Sequence, residues 1–174
     1  MEMEKGQEGL SIQEMEQFMK MAIEEAQLAR QKDEVPVGCI IVKEGKVIAR
    51  GHNLRETQKN ALCHAELIAI HGASQALGGW RLLGCTLFVT LEPCPMCAGA
   101  IIGSRIENVV FGAYDPKAGA LGSLYDLAEG KLNHMPRVIG GVLEEDCAML
   151  LRDYFREKRA KRRTCESSSR IELI

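Results

Sequence analysis

The residue types able to do chemistry in this chain gather in two short strings, His64-Ala65-Glu66 and Pro93-Cys94-Pro95-Met96-Cys97. One imidazole and two thiolates are three soft ligands for a tetrahedral zinc ion. They leave a fourth position for water, which a catalytic site needs and a structural site lacks. Glu66 adds an acid/base group two residues from the first ligand.

The spacings suit helix starts. Cysteines three apart lie on neighbouring helix faces, so Cys94 and Cys97 can grip one ion from a first turn. Pro95 between them fits an early helical position, where a missing N–H costs nothing. His64 and Glu66, two apart, can flank a common centre only at the mouth of a helix. Ala65 to Leu77 (rich in Ala, Leu and Ile) reads as that helix. Both helix N-termini would then face the metal and favour negative charge there. Taken alone, Cys-x-x-Cys is also a redox dithiol or half of a structural zinc site. A dithiol of that kind follows the first strand of a thioredoxin-like unit, whereas this one arrives at residue 94. A structural zinc needs a fourth ligand, and Cys63, Cys85, His71 and His134 stand at no recognisable spacing.

Those strings must be held by a folded core, and the composition provides one. The 174 residues are 46% hydrophobic and 26% charged, as expected of one compact domain. Seven cysteines, an odd number without framework spacing, point to a reducing compartment. No apolar run approaches a membrane span, and the acidic start carries no apolar signal region. The expected location is cytoplasmic.

Residues 1–10 read as a mobile tail, 11–163 as one catalytic domain and 164–174, with three consecutive serines, as a disordered tail. Ser11-Ile12-Gln13-Glu14 is a capping box opening a helix to about Gln31. Val37–Val42 and Val47–Arg50 are strands joined by Lys43-Glu44-Gly45-Lys46, a hairpin signal. A polar loop carrying Asn53 leads to the His64 helix. Thr86–Leu91 is an apolar strand running directly into Glu92-Pro93-Cys94, and chemistry at a strand end is usual for α/β folds. A short second metal helix follows, then strand Val109–Ala113, loop Asp115–Ser123, strand Arg137–Val142 and a closing helix Glu144–Arg163.

From Phe18 to Arg163 the chain resembles the bacterial tRNA-specific adenosine deaminases. His-x-Glu followed by Pro-Cys-x-x-Cys is the signature of the zinc nucleobase deaminases. The resemblance extends to Glu34-Val35-Pro36-Val37-Gly38, Gly51-His52-Asn53, Val89 to Ala100, Ser104-Arg105-Ile106, Val110-Phe111-Gly112-Ala113 and Gly119 to Ser123. It implies a three-layer cytidine-deaminase-like α/β fold with a mixed five-stranded sheet flanked by helices, and a homodimer. The implied reaction converts adenosine to inosine at the wobble position of a tRNA anticodon arm. It implies further that His64, Cys94 and Cys97 bind one Zn2+ per subunit and that Glu66 shuttles the proton. Asn53 matches the residue bonding the flipped base, and Asp115 a position contacting the RNA sugar. Glu92 reads as a strand-end residue with a structural hydrogen bond.

Three departures bear on this resemblance. Cys63 stands where a small non-thiol residue is commoner, and reads as a small hydrophobe. Met135-Pro136 follows His134 where the family often has arginine, a contact that Arg137 could supply. Pro95 also occurs in guanine deaminases of the same fold, so a deaminase of a free base or nucleotide is the alternative. The formal net charge is only −2, yet seven basic residues against two acidic ones lie between Arg152 and Arg163. Lys158, Arg159 and Arg162 from this run are the expected RNA backbone contacts.

Overall fold

The structure, a computed structural model, describes residues 10–130 and 132–171, with side chains through residue 163. Residues 1–9, which the sequence assigns to a tail, and 172–174 lie outside the described residues. Helix α1 (Ile12–Gln31) opens on the expected capping box: the Glu14 N–H donates to Ser11 Oγ at 3.2 Å, and the Ser11 N–H to Glu14 Oε2 at 2.9 Å. Strands β1 (Gly38–Lys43) and β2 (Lys46–His52) form the hairpin. Its two-residue turn puts Glu44 at φ 50° and Gly45 at φ 72°, the left-handed pair that matches strand twist. Helix α2 (Ala65–Leu77), strand β3 (Cys85–Leu91), helix α3 (Pro95–Gly103) and strand β4 (Asn108–Ala113) follow. A short 3-10 turn, Leu127–Glu129, precedes strand β5 (Arg137–Ile139) and helix α4 (Glu144–Ile171).

The five strands form one sheet in the order β2-β1-β3-β4-β5. β1 is antiparallel to β2 and β3, while β3, β4 and β5 run parallel. Alternation along each strand divides the core between the two faces. Cys39, Ile41, Leu87, Val89, Val109 and Phe111 meet Ala65, Ala69 and Ala73 of α2 and Ala98 and Ile101 of α3. Ile40, Val42, Phe88 and Val110 meet Met15, Met19 and Ala22 of α1 and Cys147 of α4. The expected three layers are thus present, α1 and α4 on one side and α2 and α3 on the other. Full burial of a side chain such as Phe88 is worth roughly 1.5–3 kcal/mol. Among the described residues no helix is long and apolar enough to cross a membrane.

Two glycines let helices lie directly on strands. A Cβ at Gly38 would fall 2.1 Å from Ala22 O of α1, and one at Gly51 would fall 2.4 Å from Ala65 O of α2. The second approach seats the first turn of α2, and with it His64 and Glu66, against β2.

Two boundaries differ from the sequence reading. β5 stops at Ile139 instead of Val142, because Gly140 lies against the Phe111 ring and Gly141 turns the chain at φ 84°. α4 continues through residues 164–171, which the sequence assigned to a disordered tail. That stretch contains no Gly or Pro, so nothing in it stops a helix.

Two buried carboxylates hold the loops at the end of the sheet where β3 and β4 finish. Glu92, 2% exposed, accepts the N–H groups of Asp115 (3.0 Å), Leu121 (3.1 Å) and Ser123 (3.0 Å), and also the Ser123 hydroxyl. Glu34, 0% exposed, accepts those of Glu56 (3.2 Å) and Thr57 (2.5 Å). Burial raises both carboxyls, but these hydrogen bonds prevail and hold each below the ordinary glutamate value of 4.5. Since their native pKa values are depressed, their contribution to stability is complete above 4.5 and lost as pH falls through the native values.

Urea unfolding followed from neutral to acid pH should therefore show stability falling below 4.5. Glu92→Gln should flatten that fall and cost about 1–3 kcal/mol at neutral pH. Gly51→Ala should destabilise by about 1–3 kcal/mol through overpacking against α2. Gly79→Ala, whose Cβ would meet nothing within 4 Å, should change stability far less in the same melts.

Candidate active site

Strand register brings the end of β2, the start of β1 and the ends of β3 and β4 to one edge of the sheet. Gly38 pairs with His52, Cys39 with Val89 and Leu91 with Ala113. Two helices begin at this edge. His64 is the N-cap of α2, and its side chain makes no capping bond, which leaves the imidazole free to turn inward. Cys94 is the N-cap of α3, Pro95 its first residue and Cys97 its third. The orphan N–H groups and positive dipole ends of both helices therefore converge, as the sequence implies.

His64 Nδ1 lies 3.8 Å from Cys94 Sγ and 3.5 Å from Cys97 Sγ, and the three donor atoms all fall within 4.8 Å of one another. A tetrahedral zinc ion with bonds of about 2.05 Å to nitrogen and 2.3 Å to sulfur holds such atoms about 3.6 Å apart. The donor set and its spacing fit that ion. A bond from Cys97 pulls the Cys94 thiol down to about 4 against the opposing effect of burial, with His64 contributing. Cys97 moves up, through the same bond and through burial. The bond to Cys94 raises His64. A thiolate, a thiol and an imidazole thus share protons that a divalent cation would displace.

Glu66, 4% exposed, sits in the first turn of α2 with its carboxyl raised by burial. It lines a cavity of about 170 Å³ together with Asn53, His64, Cys94 and Asp115. Five of the residues singled out from sequence therefore face one small space. Asn53 donates from Nδ2 to Glu34 and to Val35 O. Asp115 caps its own turn, accepting the N–H groups of Lys117 and Ala118 at 2.9 and 3.2 Å. Cys63 stays outside the donor cluster and bonds Gln58 Oε1 at 3.4 Å.

The basic residues of α4 divide by what they touch: Arg152 pairs with Glu145, and Arg156 with Asp153 at 2.8 Å. Lys158 is turned to Asp33 at 2.5 Å and lies over the Tyr154 ring. Arg162 lines neither the small cavity nor its neighbour. That neighbour, a groove of about 850 Å³, shares Val35, Leu91 and Asp115 with the cavity and is lined by Lys117, Arg152, Arg156 and Arg159. The last three stand at i, i+4 and i+7 on α4, a helical face that counting the charge run alone does not pick out. Arg137 lies with Thr86 and Asn108 at the opposite ends of β3 and β4, so it cannot replace a basic contact beside the cavity. His134 is tied to Ile106 O at 2.6 Å. Sequence reasoning also passed over Glu34. Its signal was an acidic residue beside a run of Val and Pro, where only a partnered carboxylate is tolerated.

Comparison with known proteins gives this geometry a lineage. The family model for the cytidine and deoxycytidylate deaminase zinc-binding region matches residues 12–113. A tRNA-specific adenosine deaminase of Bacillus subtilis (strain 168) is 53% identical over 154 residues, 88% of this chain and 96% of that protein. A structure from a study of A-to-I editing by tRNA:A34 deaminases superposes with a TM-score of 0.75 at 43% identity, covering 78% of this chain and 99% of that one. A guanine deaminase from Nitrosomonas europaea gives 0.68 at 25% identity over 80% of this chain and 83% of its own. By that identity and coverage, the chain belongs to the tRNA-specific adenosine deaminases within the cytidine and deoxycytidylate deaminase superfamily.

Proposed function

We propose that the chain hydrolyses adenosine to inosine at the wobble position of a tRNA anticodon, releasing ammonia. The observation that carries this reading is the buried Glu66 carboxyl on the same small cavity as a His/Cys/Cys donor set. A cavity of about 170 Å³ is below the usual range of roughly 300–1,000 Å³ for ligand pockets, and suits one extruded base better than a stretch of polymer. The identity to named tRNA-specific adenosine deaminases supports the choice of adenosine and of tRNA.

In this reading His64, Cys94 and Cys97 hold one zinc ion per subunit. Zinc bound there would supply acidified water, lowering its pKa from about 15.7 to about 7. Glu66, its carboxyl raised by burial, accepts the water proton and delivers it to the ring nitrogen beside the attacked carbon. It then helps ammonia leave. Positioned proton transfer of this kind contributes roughly 10²- to 10⁴-fold. Asn53 and Asp115 hold the base and its sugar. A homodimer and a cytoplasmic location come with the same reading.

The neighbouring groove gives the RNA a path. Lys117, Arg152, Arg156 and Arg159 offer phosphate contacts, and Tyr114 and Phe155 expose rings on which unpaired bases can stack. A free-base deaminase, the second reading, is favoured by Pro95 and by the likeness to guanine deaminase, yet has no use for this groove. Of the contacts first expected on α4, Arg159 lines this groove, while Lys158 pairs with Asp33.

Incubation with an anticodon stem-loop carrying adenosine at the wobble position, followed by nucleoside analysis, should yield inosine. Free guanine or cytidine as the converted substrate would establish the second reading instead. Glu66→Ala should keep its metal and lose at least about a hundredfold in rate. Cys97→Ala should lose the metal itself, measured by elemental analysis. Stem-loop affinity should fall with salt, and Arg156→Ala should reduce the slope of log affinity against log salt by about 0.7–1.

A further inference from the structure

Asn53 is 7% exposed, and its side chain is fixed by groups of known polarity. Its Nδ2 lies 3.4 Å from Glu34 Oε2 and 3.4 Å from Val35 O. A carboxylate and a carbonyl can only accept, so the amino group of Asn53 must be the end turned to the protein. Glu34 cannot swing away, because Thr57 and Glu56 N–H groups grip it at 2.5 and 3.2 Å. Asn53 Oδ1 takes no hydrogen bond from the described residues, and among these no buried side-chain N or O lacks a partner. Oδ1 is therefore the end that reaches the cavity Asn53 lines.

We propose that Glu34 is a positioning residue that fixes the polarity of this wall, turning Asn53 so that a carbonyl oxygen meets the nucleotide. The site then selects a hydrogen-bond donor at that point. Adenosine offers its exocyclic amine and its ribose hydroxyls as donors, while the ring nitrogens of the base only accept. The inference rests on the adenosine reading for the identity of the donor, but the orientation of Asn53 is a property of the protein alone.

Both parts can be tested on the full-length protein. The side-chain 15N–1H pair of Asn53 should be protected from solvent exchange in the wild type and lose that protection in Glu34→Gln; a rapidly exchanging wild-type pair would overturn the orientation. In turnover of the wobble-adenosine stem-loop, Glu34→Gln should lower kcat/KM by at least about tenfold in protein that is still folded and fully metal-loaded at the assay temperature, although its Tm falls with the weakened anchor. Wild-type kcat/KM in this isosteric variant would also sink the proposal.

Asn53→Asp alone sets two carboxylates against each other and should lose more. Adding Glu34→Gln lets the new amide donate to the carboxylate introduced at position 53, which keeps an acceptor on the cavity. The double variant should return to within about tenfold of wild type, whereas a folded, metal-loaded double variant that stays below this would mean the amino group faces substrate. A stem-loop with 2′-deoxyadenosine at the wobble position separates the donors: a loss confined to Asn53-competent proteins points to the ribose hydroxyl, and no loss to the amine. Wild type making no inosine from any stem-loop would count against the functional reading and leave the exchange measurement to judge Glu34.

Discussion

Everything at the catalytic edge depends on one convergence, that of the His64 imidazole with the thiols of Cys94 and Cys97 at 3.8 and 3.5 Å. His64 and Cys94 stand 30 positions apart at the mouths of two helices, so both helix starts must be fixed closely in space. The parallel pair β3 and β4 and the antiparallel pair β1 and β3 lock the strand ends together. Gly51 then lets α2 descend onto β2 with no intervening side chain. Ala65, Ala69 and Ala73 keep that interface thin, and their burial supplies little apolar area. Position is secured here at some cost in hydrophobic stabilisation, which the larger Ile, Leu and Phe side chains of the central strands make up.

The same edge carries two buried carboxylates that do no chemistry in the proposed reaction. Glu34 collects the amides of one loop and Glu92 those of the other, so the cavity has an anionic anchor behind each wall. A loop held only by apolar contacts would shift with each ligand. A loop whose N–H groups meet at one buried charge has a single low-energy arrangement, since each unmet donor costs about 1–3 kcal/mol. These anchors contrast with Glu66, which lacks a comparable set of amides. Burial therefore dominates its titration and raises it, whereas hydrogen bonds dominate and lower the other two. Three buried glutamates thus have two roles, decided by what surrounds each.

Much of this was legible in the sequence because it follows from local rules. Ser11 and Glu14 announce α1, Glu44-Gly45 the hairpin turn, and Pro95 the start of α3. The donor set could be read because ligand chemistry and helix starts limit where such residues can stand. What escaped was non-local. Nothing near Arg163 shows that the helix continues, and the end of β5 is set by the Phe111 ring pressing on Gly140. The partners of Glu34, namely Asn53, Glu56 and Thr57, come from 19 to 23 positions further along the chain.

The basic helix shows how packing edits a charge pattern. Counting charges treats Lys158 and Arg159 alike, but their places around the helix separate their duties. Tyr154 donates its hydroxyl to Asp33 O at 2.8 Å, Lys158 pairs with the Asp33 carboxylate and Glu157 with Arg30, so this face of α4 is bound to the end of α1. Such exposed pairs contribute little singly, but together with the buried tyrosine they fix the rotation of the helix. Once that rotation is set, Arg152, Arg156 and Arg159 line the groove that opens beside Asp115, with Arg152 paired to Glu145 and Arg156 to Asp153 along the helix. The acidic residues Asp33 and Glu157 therefore do not simply dilute the positive charge. They choose which part of it an RNA could meet, and a chain of formal net charge −2 can present a cationic groove at its active site.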